Sequence, residues 1–166
     1  MSPLFRSGLI AAMITLVIDQ ASKVWLLQVF ELGRRGAVAV TPFFDLVLAW
    51  NTGISYGWFQ DGGPFAQWFL LAFKIVAVIA LAIWMAWSQT RLAAVGLGLI
   101  IGGAVGNAID RLAYGAVVDF ALFHVQIGAK TYNWYIFNLA DAAIVAGVAA
   151  LLYDSLIAPA AVKTPR

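Results

Sequence analysis

Glycine stands at positions 98, 102 and 106 inside an apolar run that ends on Asp110 and Arg111. On a helix that spacing lines the glycines into one smooth stripe, and small-residue stripes let transmembrane backbones approach closely. The run also carries Asn107, one turn before Arg111, and nine residues past Asp110 it reaches Asp119 in the apolar setting VVDF. An ionisable group within a bilayer costs about 2.5–3.5 kcal/mol on the insertion scale, so each acid needs a partner or a task. Few folds accept such a stretch. It asks for a helix that packs tightly in lipid and delivers polar groups to one end.

Composition points the same way. Of 166 residues, 63% are hydrophobic and 11% charged, with a mean hydropathy of +0.91. A soluble domain of this size cannot bury that much apolar surface, so a polytopic membrane protein is expected. The ten Lys and Arg are scattered and the net charge is only +2, which argues against a nucleic-acid partner. Cysteine is absent, which removes a thiol nucleophile, disulfides and thiolate metal sites. With one histidine and no HExxH pattern, a zinc peptidase is not indicated, and no metal or other cofactor is expected.

Hydropathy predicts an all-α membrane protein, one domain over 1–166, with four transmembrane helices at about 7–30, 66–87, 92–112 and 134–157. Segments of about 31–65 and 113–133 lie between them and are expected to form a small extracytoplasmic β-sheet or hairpin cradle. In the first helix Asp19 and Lys23 are four apart, so they share a face and can neutralise each other. Lys74, alone in the second helix, suits snorkelling or pairing with a carboxylate. Only SQTR separates the second and third helices, so these are antiparallel neighbours. ALFHVQIGAKTYNWYIF alternates apolar and polar residues on both sides of GAK and reads as a hairpin, with His124 a surface residue in its first strand. In the fourth helix Asn138 and Asp141 share a face near the start, while Ala142, Ala146 and Ala150 suit packing on the glycine stripe. The tail APAAVKTPR reads as disordered.

Four crossings put both termini on one side, and the spread of Lys and Arg leans toward that side being cytoplasmic. The third helix then ends, and the fourth begins, at the opposite face. Asp110, Asp119 and Asp141 therefore gather at one membrane boundary. Two carboxylates in a partly desolvated pocket share a proton, which suits hydrolysis by water with one acid as base and the other polarising a carbonyl. Spacing alone leaves a second possibility open, a set of unrelated hydrated acids that solubilise the helix ends.

At this point the residues resemble a known family, lipoprotein signal peptidase (signal peptidase II), a bacterial membrane aspartic peptidase. DQASK at 19–23, NTGISYG at 51–57, GGAVGNAIDRLAYGAVVDF at 102–120 and FNLADAAI at 137–144 look like its four boxes. The last two in combination are the specific signal. The second box departs from the commoner pattern at Ser55 and Tyr56, which implies a slightly altered pocket wall. The resemblance implies that Asp119 and Asp141 are the catalytic dyad. It implies that Asn51, Gly103, Asn107, Arg111 and Asn138 line or support the site, and that Asp19, Lys23 and Asp110 brace the bundle. It further implies a substrate, a prolipoprotein whose cysteine carries a diacylglyceryl group and which is cut just before that cysteine. The implied setting is the outer face of the bacterial cytoplasmic membrane, among membrane lipids, with sensitivity to the cyclic peptide globomycin.

Two rival readings remain on the residues. A Ser-Lys membrane peptidase would use Ser55 or Ser22 with Lys23 or Lys74, although Ser22 and Lys23 point apart on a helix. A small transporter or proton channel would use Asp19, Lys23 and Asp141 as a relay strung through the bilayer depth.

Overall fold

The computed structural model describes residues 1–52 and 64–157, with backbone alone over 64–74. Ser55 and Tyr56, the rest of the second box beyond Thr52, the side chain of Lys74 and the tail from 158 lie outside the described residues.

Helix α1 spans Pro3–Val24. It starts where it does because Ser2 caps it, its hydroxyl accepting from the Phe5 amide at 3.1 Å, and because proline suits the first turn. One π-helical turn, Trp25–Val29, closes it. Helix α2, Leu32–Arg35, follows a left-handed Glu31 (φ 52°). Strands β1 (Val38–Thr41) and β2 (Phe44–Asn51) lead to helix α3, Pro64–Ala86. Helix α4, Arg91–Tyr114, is capped by Thr90 at its start and by left-handed Gly115 (φ 75°) at its end. Strands β3 (Val117–Ile127) and β4 (Lys130–Asn133) precede helix α5, Leu139–Ile157. The strands form one antiparallel four-stranded sheet in the order β1-β2-β3-β4.

The last helix begins at Leu139, not near 134. Residues before it are held by the sheet instead: Phe137 and Ala121 exchange backbone hydrogen bonds at 2.8 and 3.0 Å. Asp119, in the segment expected between the third and fourth helices, is a residue of β3, paired with Ala49.

Three described helices are long and apolar enough to cross a membrane: Pro3–Val29, Arg91–Tyr114 and Leu139–Ile157. Their outer faces stay exposed, as at Ile14, Val17, Val145 and Leu152. A helix that is apolar on its outside suits lipid, not water. At one end of the bundle Leu4, Phe5, Met85, Ala94, Leu97 and Leu151 pack together. At the other, Leu26, Leu32, Phe120 and Ala121 form a core beneath the sheet. Helix α4 is the axis of the bundle. The glycine stripe faces α1 rather than α5: a Cβ on Gly98 or Gly102 would overlap the carbonyl oxygen of Gly8 or Ala12. Helix α5 uses a second edge, where a Cβ on Gly103 would lie 2.5 Å from the Ala140 oxygen. The cause is that α4 carries glycine on two faces, so Gly96 and Gly103 take α5 while the regular stripe takes α1.

Candidate active site

The polar end of α4 is built from the inside outward. Lys23 is buried, and its Nζ lies 2.8 Å from Asp19 Oδ2 and 2.7 Å from Asp110 Oδ2, both carboxylates fully buried. It also donates to Asn107 Oδ1 at 3.1 Å. One cation between two acids leaves one negative charge, and amides satisfy the rest. Gln20 Nε2 donates to Asp110 Oδ1 at 2.9 Å and to the Gly106 carbonyl oxygen at 3.1 Å. The Ala140 amide donates to Asp19 Oδ1 at 3.0 Å, and the Val118 amide to Asp110 Oδ2 at 3.1 Å. Asp19 therefore ties down the first turn of α5, and Asp110 ties down the start of β3. This cluster fixes where the two outer acids stand.

Those acids are Asp119 and Asp141. Asp119 is 2% exposed. Its Oδ2 accepts from Asn51 Nδ2 at 2.9 Å and its Oδ1 from Asn138 Nδ2 at 2.7 Å. Asp141 is half-buried. Its Oδ1 accepts from Asn107 Nδ2 at 2.8 Å and its Oδ2 from the Asn138 amide at 3.2 Å. Asn138 returns the favour, its Oδ1 accepting from the Asp141 amide at 3.0 Å. This reciprocal pair is a capping box at the start of α5, with the acid in the first turn, where the helix dipole favours negative charge. Asn138 Nδ2 also donates to Asn107 Oδ1 at 3.1 Å. Asn138 thus joins the two outer acids, and Asn107 links Asp141 and Asn138 to Lys23 of the inner cluster.

Burial pushes the Asp119 carboxyl up from its usual range, and the charge of Asp141 adds to that. Hydrogen bonds from Asn51 and Asn138 and the charge on Lys23 pull the other way, and burial wins. The site thus holds one acid, Asp119, inclined to keep its proton.

The structure brings Asn51, Asn107, Asn138, Asp119 and Asp141 into one network. Gly103 lies beneath it, letting α4 meet α5 at Ala140. Arg111 stands at the rim, half-buried, its Nη1 donating to the Asn107 carbonyl oxygen at 3.1 Å. Asp110 pairs with Lys23 and not with its neighbour Arg111. Ser22 gives its hydroxyl to the Asp19 carbonyl oxygen at 2.7 Å and is not joined to Lys23. His124 is not a plain surface residue: it is half-buried, with Nε2 3.2 Å from Asp45 Oδ1 on the neighbouring strand. Gln20 was missed by sequence reasoning. Its signal was an amide beside Asp19 in an otherwise apolar helix, where an unpaired amide is expensive.

Comparisons with known proteins point to one family. The family model described as signal peptidase (SPase) II matches residues 11–157. A lipoprotein signal peptidase of Rhodopseudomonas palustris (strain TIE-1) is 71% identical over 160 residues, which covers 96% of this chain and 98% of that one. One of Nitrobacter hamburgensis is 70% identical over 165 residues, covering 99% of this chain and all of that one. Among solved structures, a bacterial membrane enzyme determined by the in meso method at 2.3 Å resolution superposes with a TM-score of 0.72. It is 25% identical, and the match covers 97% of this chain and 94% of that one.

Proposed function

The chain belongs to the signal peptidase II family, and from that premise we propose that it is an aspartic endopeptidase of diacylglyceryl-modified prolipoproteins. It cuts just before the lipidated cysteine, with Asp119 and Asp141 as the catalytic dyad. One observation carries this reading: two carboxylates from different elements share Asn138, which donates to both, and among the described residues neither forms an ion pair.

Asp141, the base at the start of α5, takes a proton from a water molecule. Asp119, protonated because burial disfavours its charge, donates a hydrogen bond to the scissile carbonyl oxygen. Attack forms a tetrahedral intermediate, and Asp141 then passes its proton to the leaving nitrogen as the C–N bond breaks. Nothing covalent forms with the enzyme, and no cofactor is used. Asn51, Asn107 and Asn138 hold the carboxylates in place, and Arg111 at the rim suits substrate backbone or lipid headgroup oxygens.

The setting follows from the helices. Helix α3, 23 residues long, serves as a fourth crossing. The shared packing of Leu4, Met85, Ala94 and Leu151 supports antiparallel neighbours with both termini on one side, which we assign to the cytoplasm of a bacterium. The dyad then sits at the outer face of the cytoplasmic membrane, with the sheet above it. There the substrate's acyl chains stay in hydrocarbon while its scissile bond meets water. Globomycin is expected to inhibit the enzyme.

The test is a cleavage assay on a diacylglyceryl-modified prolipoprotein. Asp119→Asn and Asp141→Asn should each lower turnover by about 10²–10⁴-fold while the protein still folds, because an amide keeps the shape and cannot carry the proton. Ordinary turnover in either variant would end the dyad assignment. Ser55→Ala should stay active, and its failure would point to a serine nucleophile.

A further inference from the structure

The β3–β4 hairpin runs beyond the site, and the chemistry above makes no use of its tip. Its register sets His124 opposite Asn133, Val125 opposite Tyr132, Gln126 opposite Thr131 and Ile127 opposite Lys130. The Trp134 amide donates to the Phe123 carbonyl oxygen at 2.8 Å, which continues the ladder by one pair. Side chains alternate across a strand. Phe123, Val125 and Ile127 therefore share one face with Tyr132 and Trp134, with Lys130 at its outer end, while His124, Gln126, Thr131 and Asn133 take the other. A one-sided antiparallel ribbon turns its apolar face to a core. Here that face is bare: Val125 is 52% exposed, Ile127 64%, Tyr132 54% and Trp134 67%. It continues into an open recess of about 420 Å³ that Phe43, Phe123 and Phe137 help to line.

Two observations say what lies against it. The first is where the hairpin is rooted. Phe123 stacks on Phe137 at 5.7 Å between ring centres, and Phe137 stands two residues before α5, one of the helices able to cross a membrane. Trp134 and Tyr135 precede the same helix by five and four residues, at the level where aromatic belts meet lipid headgroups. From Phe123 the strand reaches Ile127 in about 13 Å, at roughly 3.3 Å per residue. The root is thus at the boundary, and the whole face is within reach of it. The second observation is charge. Residues 120–140 hold no Asp or Glu and one lysine, Lys130 at the hairpin tip, so no carboxylate has to enter the boundary and the long lysine stem can reach back to the headgroups.

We propose that this hairpin lies in the headgroup–acyl boundary of the bilayer, with its apolar face toward lipid and its polar face toward water. It thereby holds the sheet, and Asp119 within it, at a set height over the membrane. The inference rests on the helices crossing a bilayer and not on the peptidase chemistry, so either can fail alone.

The chain has no cysteine, so single labels need no other change. Nitroxides are placed at Val125→Cys, Ile127→Cys, Gln126→Cys and Thr131→Cys, all exposed positions, in the full chain. The protein is reconstituted in phosphatidylethanolamine–phosphatidylglycerol vesicles. Collision with oxygen, which concentrates in lipid, is compared with collision with a water-soluble nickel chelate. The oxygen-to-nickel ratio should be several-fold higher at 125 and 127 than at 126 and 131. Four similar, water-like ratios would overturn the proposal. So would nickel access at 125 and 127 that falls only when a lipopeptide substrate is added, which would make the face a substrate surface. Shielding from both reagents that fades as the protein is diluted in lipid would assign it to a second copy of the chain, and the proposal would again be wrong.

Discussion

One hydrogen-bond network contains two pairs of carboxylates, and it treats them in opposite ways. Asp19 and Asp110 share the Nζ of Lys23 at 2.8 and 2.7 Å. Asp119 and Asp141, joined to them through Asn107 and Asn138, receive neutral donors among the described residues, from Asn51, Asn138, Asn107 and the backbone. A cation locks a carboxylate in its ionised form, and a buried one costs several kcal/mol to disturb. An amide orients a carboxylate and leaves its proton free to come and go. The inner pair is thus suited to holding three elements together, and the outer pair to moving a proton. Asn107 touches both, its Oδ1 taking hydrogen bonds from Lys23 and Asn138 and its Nδ2 donating to Asp141.

The largest effect should come from stripping the inner pair of its cation. Lys23→Met leaves two buried acids facing each other and should cost about 3–5 kcal/mol of stability, read as a lower unfolding midpoint in detergent or nanodiscs. Adding Asp110→Asn should recover part of that loss, because one of the stranded charges goes with it. A Lys23→Met protein as stable as the parent would show that the cation does not hold the inner pair, and the contrast would dissolve.

A smaller effect separates orientation from folding at the outer pair. Asn138 both caps α5 and donates to Asp119. Asn138→Ala should cost about 0.5–2 kcal/mol through the lost cap, and it should lower kcat more than it changes KM. Asn138→Ser restores a capping oxygen and is too short to reach Asp119. Stability should return with serine while turnover does not. If both return together, Asn138 acts on the helix alone.

Part of this was legible in the residues. Asp19 and Lys23 at i,i+4 predict their contact, and Asn138 with Asp141 at i,i+3 predicts a shared face, because both relations are local to one helix. The lysine's second acid, Asp110, is 87 residues further along the chain, and no local rule pairs it with Lys23 in preference to Arg111 beside it. The resemblance singled out Asp119, yet its setting was not visible. An apolar run such as VVDFALFHVQI is compatible with a buried strand or a helix end, and only its pairing with β2 decides. The late start of α5 has the same origin: NWYIF looks like helix until the sheet claims Phe137. The glycine stripe gave the close approach but not the partner, since α4 carries small residues on two faces.

The smallest effect tests the outer pair most directly. Burial lifts the Asp119 carboxyl above the range it has in the unfolded chain, and Asp141 adds to the lift. Between the unfolded and folded values the native state therefore binds more protons than the unfolded one, so Asp119 makes stability fall as pH rises through that window. Below the unfolded value and above the folded one its contribution is flat. Asp119→Asn has no such proton, so as pH rises from the ordinary carboxylate value of about 4, the variant should lose less stability than the parent. Asp141→Asn should narrow the window, since the neighbouring charge that helps raise Asp119 is gone. The measurement is the unfolding midpoint of the three proteins against pH in the same detergent. A parent that instead gains stability over the variant with rising pH would mean that Asp119 prefers to be ionised when folded. The outer pair would then behave like the inner one, and the proton assigned to Asp119 would have to sit on Asp141.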